Sequence, residues 1–227
     1  MANGPRAVLF DCDGVIADSE PLHLGAFQEV LAPLGITITP EEYGVHYLGF
    51  DDRGVFTEAL RLHGRPGNRE TIDALMATKA VRVRRVLATE ARIYPGVVGF
   101  VRALAGLPLA VVSGALREEI ELILCHAGVR DAFSVIVAAE DVQAGKPDPE
   151  GFLRALGALG GAARAIAPAD CLVVEDSLAG LEAATRAGMR RLAVTNSHPA
   201  AELRGAADLV VPTLAGLTLA RVRSLFA

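Results

Sequence analysis

The sequence predicts an α/β fold, a Rossmann-like doubly wound parallel sheet with an inserted four-helix cap, on three observations. Short apolar runs recur along the chain, helical patterns with glycine stops separate them, and roughly a hundred residues of helical pattern interrupt the first alternation. A βαβ unit needs only ~30 residues, so that interval carries an insertion.

The runs that read as buried parallel strands are Ala7 to Phe10, Leu109 to Val112, Val135 to Ala138, Leu172 to Val174, Leu192 to Val194 and Leu209 to Val211. Between them, Leu116 to Ala127 stops at Gly128, Glu150 to Leu159 at Gly160-Gly161, and Leu178 to Ala187 at Gly188. In the insertion, Ser19 is positioned to cap a helix running to Leu34-Gly35, and Thr39-Pro40-Glu41-Glu42 is a capping box with proline at the first helical position. Asp52 to His63 ends at Gly64. Arg69 to Leu87 places Ile72, Leu75, Met76, Ala80, Val83 and Leu87 at helical spacing, with Arg82, Arg84 and Arg85 expected on a solvated face. Tyr94-Pro95-Gly96 returns the chain. The expected core is therefore residues 1–17 with 92–227, and the expected cap is 18–91.

The 227 residues are 52% hydrophobic and 22% charged, enough apolar surface for a sizeable core. A net charge of −5 argues against a general nucleic-acid or anionic-membrane binder. No apolar run reaches the ~18 residues of a membrane span. Ala7 to Phe10 is too short for a signal-peptide core, so a cytoplasmic location is expected. Cys12, Cys125 and Cys171 are far apart with no CxxC pair, and read as reduced thiols. A monomer or small homo-oligomer is expected.

The chemistry gathers at strand ends. Asp11 and Asp13, two apart after the first strand, are expected to project to one side, and Glu175-Asp176 follows another strand. Carboxylates crowded together raise one another's pKa or demand a cation, and an all-oxygen set suits Mg²⁺. Ser113-Gly114 offers a hydroxyl and close backbone approach to phosphoryl oxygens, while Lys146, in Gly145-Lys146-Pro147, supplies the balancing charge.

These motifs, in order Asp11-Cys12-Asp13-Gly14-Val15, Ser113, Lys146-Pro147 and Glu175-Asp176, resemble those of the haloacid dehalogenase superfamily of phosphotransferases. The likeness is to the capped subfamily I, which includes β-phosphoglucomutase and many sugar phosphatases. The resemblance spans almost the whole chain. It implies that Asp11 is the nucleophile that takes up the phosphoryl group and Asp13 the acid and base. Ser113, Gly114 and Lys146 would hold the transferring group. Asp11, Asp176, the Asp13 carbonyl and Glu175, directly or through a neighbour, would surround Mg²⁺. It also implies that the first strand lies between those leading to Ser113 and Glu175. The second aspartate favours phosphoryl chemistry over carbon–halogen cleavage, since halide needs no protonation.

The cap bears on substrate and outcome. Gly49-Phe50-Asp51-Asp52-Arg53 resembles the loop with which β-phosphoglucomutases offer an arginine to the substrate, and Lys79 and His23 match two further cap positions. Those mutases continue Ser-x-Ser-Lys after the second strand, whereas this chain has Ser113-Gly114-Ala115-Leu116-Arg117. A Mg²⁺-dependent phosphatase of a small phosphorylated metabolite, a sugar phosphate, is the favoured reading. A phosphosugar mutase and a catalytically silent phosphometabolite sensor are the alternatives.

Overall fold

The computed structural model describes residues 4–47, 50, 52–160 and 166–227. Gly49 and Asp51, part of the expected cap loop, lie outside the described residues. The chain forms two compact units, one of Met1–Asp18 with Ala91–Ala227 and one of Ser19–Glu90.

In the first unit, β1 (Ala7–Phe10), β4 (Leu109–Val112), β5 (Val135–Val137), β6 (Cys171–Glu175), β7 (Arg190–Val194) and β8 (Leu209–Val211) form a six-stranded sheet. Its order is β5-β4-β1-β6-β7-β8 and every pairing is parallel. This is the doubly wound α/β sheet expected, with β1 between β4 and β6. Leu9 sits opposite Ala110 on one side and Val173 on the other. β1 and the Cys171 to Val174 stretch are fully buried, which is why they read as unbroken apolar runs. Leu9 and Val173 pack with Phe152 of α7 (Glu150–Gly160) and Ala183 of α8 (Leu178–Arg186). Phe10 turns the other way and meets Phe100 and Phe133 edge-on, at centroid distances of 6.1 and 5.6 Å. Chain direction across the sheet reverses between β1 and β6, and open α/β sheets bind their ligands at the carboxyl ends of strands beside such a reversal.

Three short elements carry no periodicity long enough to predict them. β2 (Ala17–Asp18) and β3 (Arg92–Ile93) form an antiparallel ribbon where the chain leaves the first unit and returns to it. α5 (Val97–Ala103) follows, and its Phe100 is buried. α6 (Arg117–His126) ends before Gly128, as the glycine stop predicts.

The second unit contains α1 (Glu20–Leu31), α2 (Pro40–His46), α3 (Asp52–Leu62) and α4 (Arg69–Glu90). Phe27, Leu31, Ile36, Ile38, Phe56, Leu60 and Ile72 form its core, and the Phe27 and Phe56 rings lie 5.1 Å apart. The capping box at Thr39 forms in full: the Glu42 amide donates to Thr39 Oγ1 at 3.2 Å and the Thr39 amide to Glu42 Oε2 at 2.8 Å. Two expectations are corrected. Ser19 occupies the N-cap position of α1 but its side chain does not cap, because its backbone is already helical rather than extended. The first helix stops at Leu31 instead of Leu34, because Pro33 offers no amide hydrogen and the chain tightens into a 3₁₀ turn over Ala32–Leu34. Among the described residues no helix is long and apolar enough to cross a membrane.

Candidate active site

β1 delivers Asp11 at its carboxyl end, where the Asp11 amide donates to the Val174 carbonyl at 3.0 Å and extends the β1–β6 ladder by one residue. The chain then turns sharply: the Cys12 carbonyl accepts from the amides of Val15, Ile16 and Ala17, and Gly14 adopts φ +77°, a conformation glycine reaches without strain. A Cβ on Gly14 would stand 1.9 Å from Asp176 Oδ2, so a glycine is also what lets that carboxylate approach. Cys12, between the two aspartates, is fully buried, and burial pushes its thiol well above the usual range. It packs as a small apolar side chain, as does the buried Cys171, while Cys125 is exposed.

β6 ends in Glu175, which has no exposed surface, and Asp176 follows it. Asp11, Glu175 and Asp176 each offer an oxygen within 4.8 Å of the others. This brings together three of the four acids expected to converge. The Asp13 carboxylate lies outside that cluster, because the turn at Cys12 carries it off the strand line; its Oδ2 stands 3.5 Å from Ser113 Oγ. Ser113 directly follows β4, and its Oγ also accepts from the Ala115 amide at 3.2 Å. Gly114 beside it is exposed.

Lys146, on the loop after β5, spans the acids. Its ammonium donates to Asp11 Oδ1 at 2.7 Å and to Glu175 Oε1 at 2.6 Å. The loop is fixed by Glu150, whose Oε2 accepts from the Gln143 and Ala144 amides at 3.0 Å each. The other oxygen of Glu175 accepts from the Asp176 amide, the Ser177 amide and Ser177 Oγ at 3.0, 3.1 and 3.0 Å. With both oxygens held, Glu175 anchors Lys146 and the start of α8. A Cβ on Gly180 would lie 1.8 Å from Glu175 Oε1, so the first turn of α8 leaves its space to this carboxylate.

Burial raises the Asp11 pKa well above the carboxylate range, Lys146 opposes it, and Glu175, Asp176 and Asp13 add to it. Burial and then Glu175 push Asp176 up to about 7 against the opposing hydrogen bond from Ser197 and the charge of Lys146. For Lys146, burial alone lowers the pKa, but Asp11 and Glu175 outweigh it and hold the ammonium charged. One ammonium among three buried carboxylates leaves an excess of negative charge on hard oxygen donors, and a divalent cation such as Mg²⁺ fits that set.

Two residues of the site escaped the sequence reading. Asn196 and Ser197 follow β7: Asn196 Nδ2 donates to the Gly14 carbonyl at 2.7 Å and Ser197 Oγ donates to Asp176 Oδ2. The strand-end rule that singled out Asp11, Ser113 and Glu175 applies equally after Leu192 to Val194 and would have found them. Arg117, at the end of the Ser113-Gly114-Ala115-Leu116-Arg117 stretch, is engaged by Asp141 and by the Ile136 carbonyl at 3.0 Å.

In the second unit, Lys79 is 1% exposed, which excludes a solvated face. Its ammonium donates to Asp52, lies 2.9 Å from His23 Nδ1, and stands 4.4 Å over the Phe27 ring. Lys79 is therefore the shared partner of His23 and of Asp52, at the start of α3. Arg53, the next residue, is 47% exposed and pairs with Asp73 of α4 at 2.6 Å.

The reversal point of the sheet thus carries an acid cluster, a bridging lysine and a serine beyond the neighbouring strand, and comparison with known proteins specifies the family. Residues 5–188 match the model of the haloacid dehalogenase-like hydrolases. Protein CbbY of Rhodobacter capsulatus is 31% identical over 218 residues, covering 92% of this chain and 93% of that protein. Fructose-1-phosphate phosphatase YqaB of Escherichia coli is 31% identical over 195 residues, 80% of this chain and 92% of that protein. The crystal structure of a CbbY mutant from Rhodobacter sphaeroides in complex with xylulose-(1,5)bisphosphate superposes with a TM-score of 0.81 at 28% identity, over 94% of this chain and 96% of that one. The chain belongs to the haloacid dehalogenase-like hydrolase family.

Proposed function

We propose that the protein is a Mg²⁺-dependent phosphatase acting on a small sugar phosphate through a phosphorylated Asp11. The observation that carries this reading is the Lys146 ammonium bridging Asp11 and Glu175 at 2.7 and 2.6 Å beside Asp176. That arrangement aims a buried carboxylate where an incoming dianion meets both a nucleophile and a counter-charge.

Asp11 forms an O–P bond as the ester O–P bond breaks, and Asp13 gives its proton to the departing alkoxide. Asp13 then takes a proton from a water that attacks phosphorus, which releases inorganic phosphate and restores the Asp11 carboxylate. Ser113 Oγ, the Gly114 backbone and Lys146 hold the phosphoryl oxygens meanwhile. Asp11 and Asp176, with the Asp13 carbonyl, would hold Mg²⁺, and Glu175 keeps Lys146 in place. Bound there, the cation would supply positive charge against the developing charge of the transferring group. In the second unit, we assign Arg53 to substrate contact, with Lys79, which joins His23 to the neighbouring Asp52, in support.

A sugar phosphate is favoured by the relatives, one named a fructose-1-phosphate phosphatase and one solved with xylulose-(1,5)bisphosphate. Hydrolysis is favoured over mutation by Ala115, which offers no second hydroxyl beside Ser113.

A panel of hexose and pentose phosphates, assayed with Mg²⁺ for phosphate release and for conversion of β-glucose 1-phosphate to glucose 6-phosphate, tests the reading. Phosphate release that disappears in Asp11→Asn is expected. Isomerisation without net phosphate identifies a mutase instead, and a wild type silent on every substrate identifies a sensor.

A further inference from the structure

Asn196 and Ser197 have no part in the reaction as derived, yet each reaches a different wall of the acid cluster. Ser197 Oγ donates to Asp176 Oδ2, at the end of β6, and Asn196 Nδ2 donates to the Gly14 carbonyl at 2.7 Å, on the turn that follows β1. The two walls are already in close contact, since a Cβ on Gly14 would strike Asp176 Oδ2 at 1.9 Å and come within 3.0 Å of Ser197 Oγ. Asp176, Gly14 and the tip of the β7 loop thus share one tight contact, and both hydrogen bonds that close it come from two consecutive residues.

We infer that the Asn196-Ser197 tip is a positioning clamp for the metal: Ser197 fixes the rotation of the Asp176 carboxylate, and Asn196 holds the Asp13-Gly14 turn at the matching distance. A carboxylate has two oxygens and four lone pairs, and one donated hydrogen bond orients it while leaving positions for a cation. Outer-sphere hydrogen bonds of this kind commonly govern metal affinity by 10- to 100-fold. The inference rests on the metal reading given above and adds to it residues that touch neither substrate nor cation. Ser197 is a positioning residue, so its loss weakens the grip on Mg²⁺ while leaving the reacting groups Asp11 and Asp13 in place.

The experiment is a Mg²⁺ titration followed by thermal shift on metal-stripped wild type, Ser197→Ala, Ser197→Thr and Ser197→Cys, with phosphate release measured in parallel. Ser197→Ala is expected to raise the Mg²⁺ concentration for half-maximal stabilisation about 10-fold or more, and Ser197→Thr to restore it. At saturating Mg²⁺ the kcat of Ser197→Ala is expected within about threefold of wild type, so the defect appears in metal dependence and not in the chemical step. Ser197→Cys keeps the volume with a weak donor, and serves if the alanine variant is insoluble; an intermediate Mg²⁺ midpoint is then expected. A Ser197→Ala or Ser197→Cys midpoint equal to that of a wild type that responds to Mg²⁺ overturns the clamp alone. A wild type indifferent to Mg²⁺ overturns the metal reading, and the clamp with it.

Discussion

Lys146 and Glu175, 29 positions apart in sequence, meet at 2.6 Å with the carboxylate fully buried. The lysine is charged because of this carboxylate and Asp11, and the carboxylates tolerate burial because of the lysine, so neither side of the pair is independently stable.

Replacing Lys146 with Met therefore does two things at once. It removes the counter-charge of the proposed reaction, and it leaves Asp11 and Glu175 buried without their shared donor. Breaking such a pair costs about 3 kcal/mol of stability, and loss of the electrostatic contribution at least ~100-fold in turnover. Urea unfolding and phosphate release measure both. A variant as stable as wild type contradicts the account of the pair.

Gly180→Ala is expected to be destabilising although alanine is the better helix former by about 1 kcal/mol. The new methyl would occupy the space of the Glu175 carboxylate, 1.8 Å from Oε1, and the displaced Glu175 would release Lys146. A net loss of about 2 kcal/mol or more is expected, with a parallel loss of activity. A rise in the urea midpoint would mean that the carboxylate moves aside freely.

Stability should depend on pH and Mg²⁺ together. Asp176 is raised to about 7 in the folded chain by burial and by Glu175, against an unfolded value of roughly 3.9. Its protonated form is the one folding favours. The contribution is complete below the unfolded value and is lost as pH rises through about 7, while Asp11, raised for the same first reason, acts in the same sense. A bound cation needs the ionised form and reverses that loss. The gain in Tm on adding Mg²⁺ is thus expected to be larger at pH 8 than at pH 5.5. An equal gain at both would show that protons and cation do not compete for these carboxylates.

The parts of the fold legible in sequence are those with a strong periodic or compositional signature. Runs such as Ala7 to Phe10 are apolar at every position because helices cover both faces of the sheet, and the capping box at Thr39 is a local device complete within four residues. The ribbon of Ala17–Asp18 with Arg92–Ile93 was invisible because its partners are two residues long and far apart along the chain. The acids were legible as a strand-end pattern, but not their division of labour. Asp13 leaves the cluster because of a turn set by three amides on one carbonyl, and Glu175 is saturated by donors from its own helix start and from Lys146. Lys79 shows the same limit. Its position was legible only through the resemblance, and only the meeting of α1, α3 and α4 brings His23, Asp52 and the Phe27 ring around it.

The burial of Cys12 and Cys171 has a practical consequence. With both sealed from solvent and Cys125 alone exposed, a maleimide dye or spin label should attach at one address on α6, away from the Asp11 loop. The native chain thus comes ready for single-site spectroscopy, without a cysteine-free background having to be engineered first.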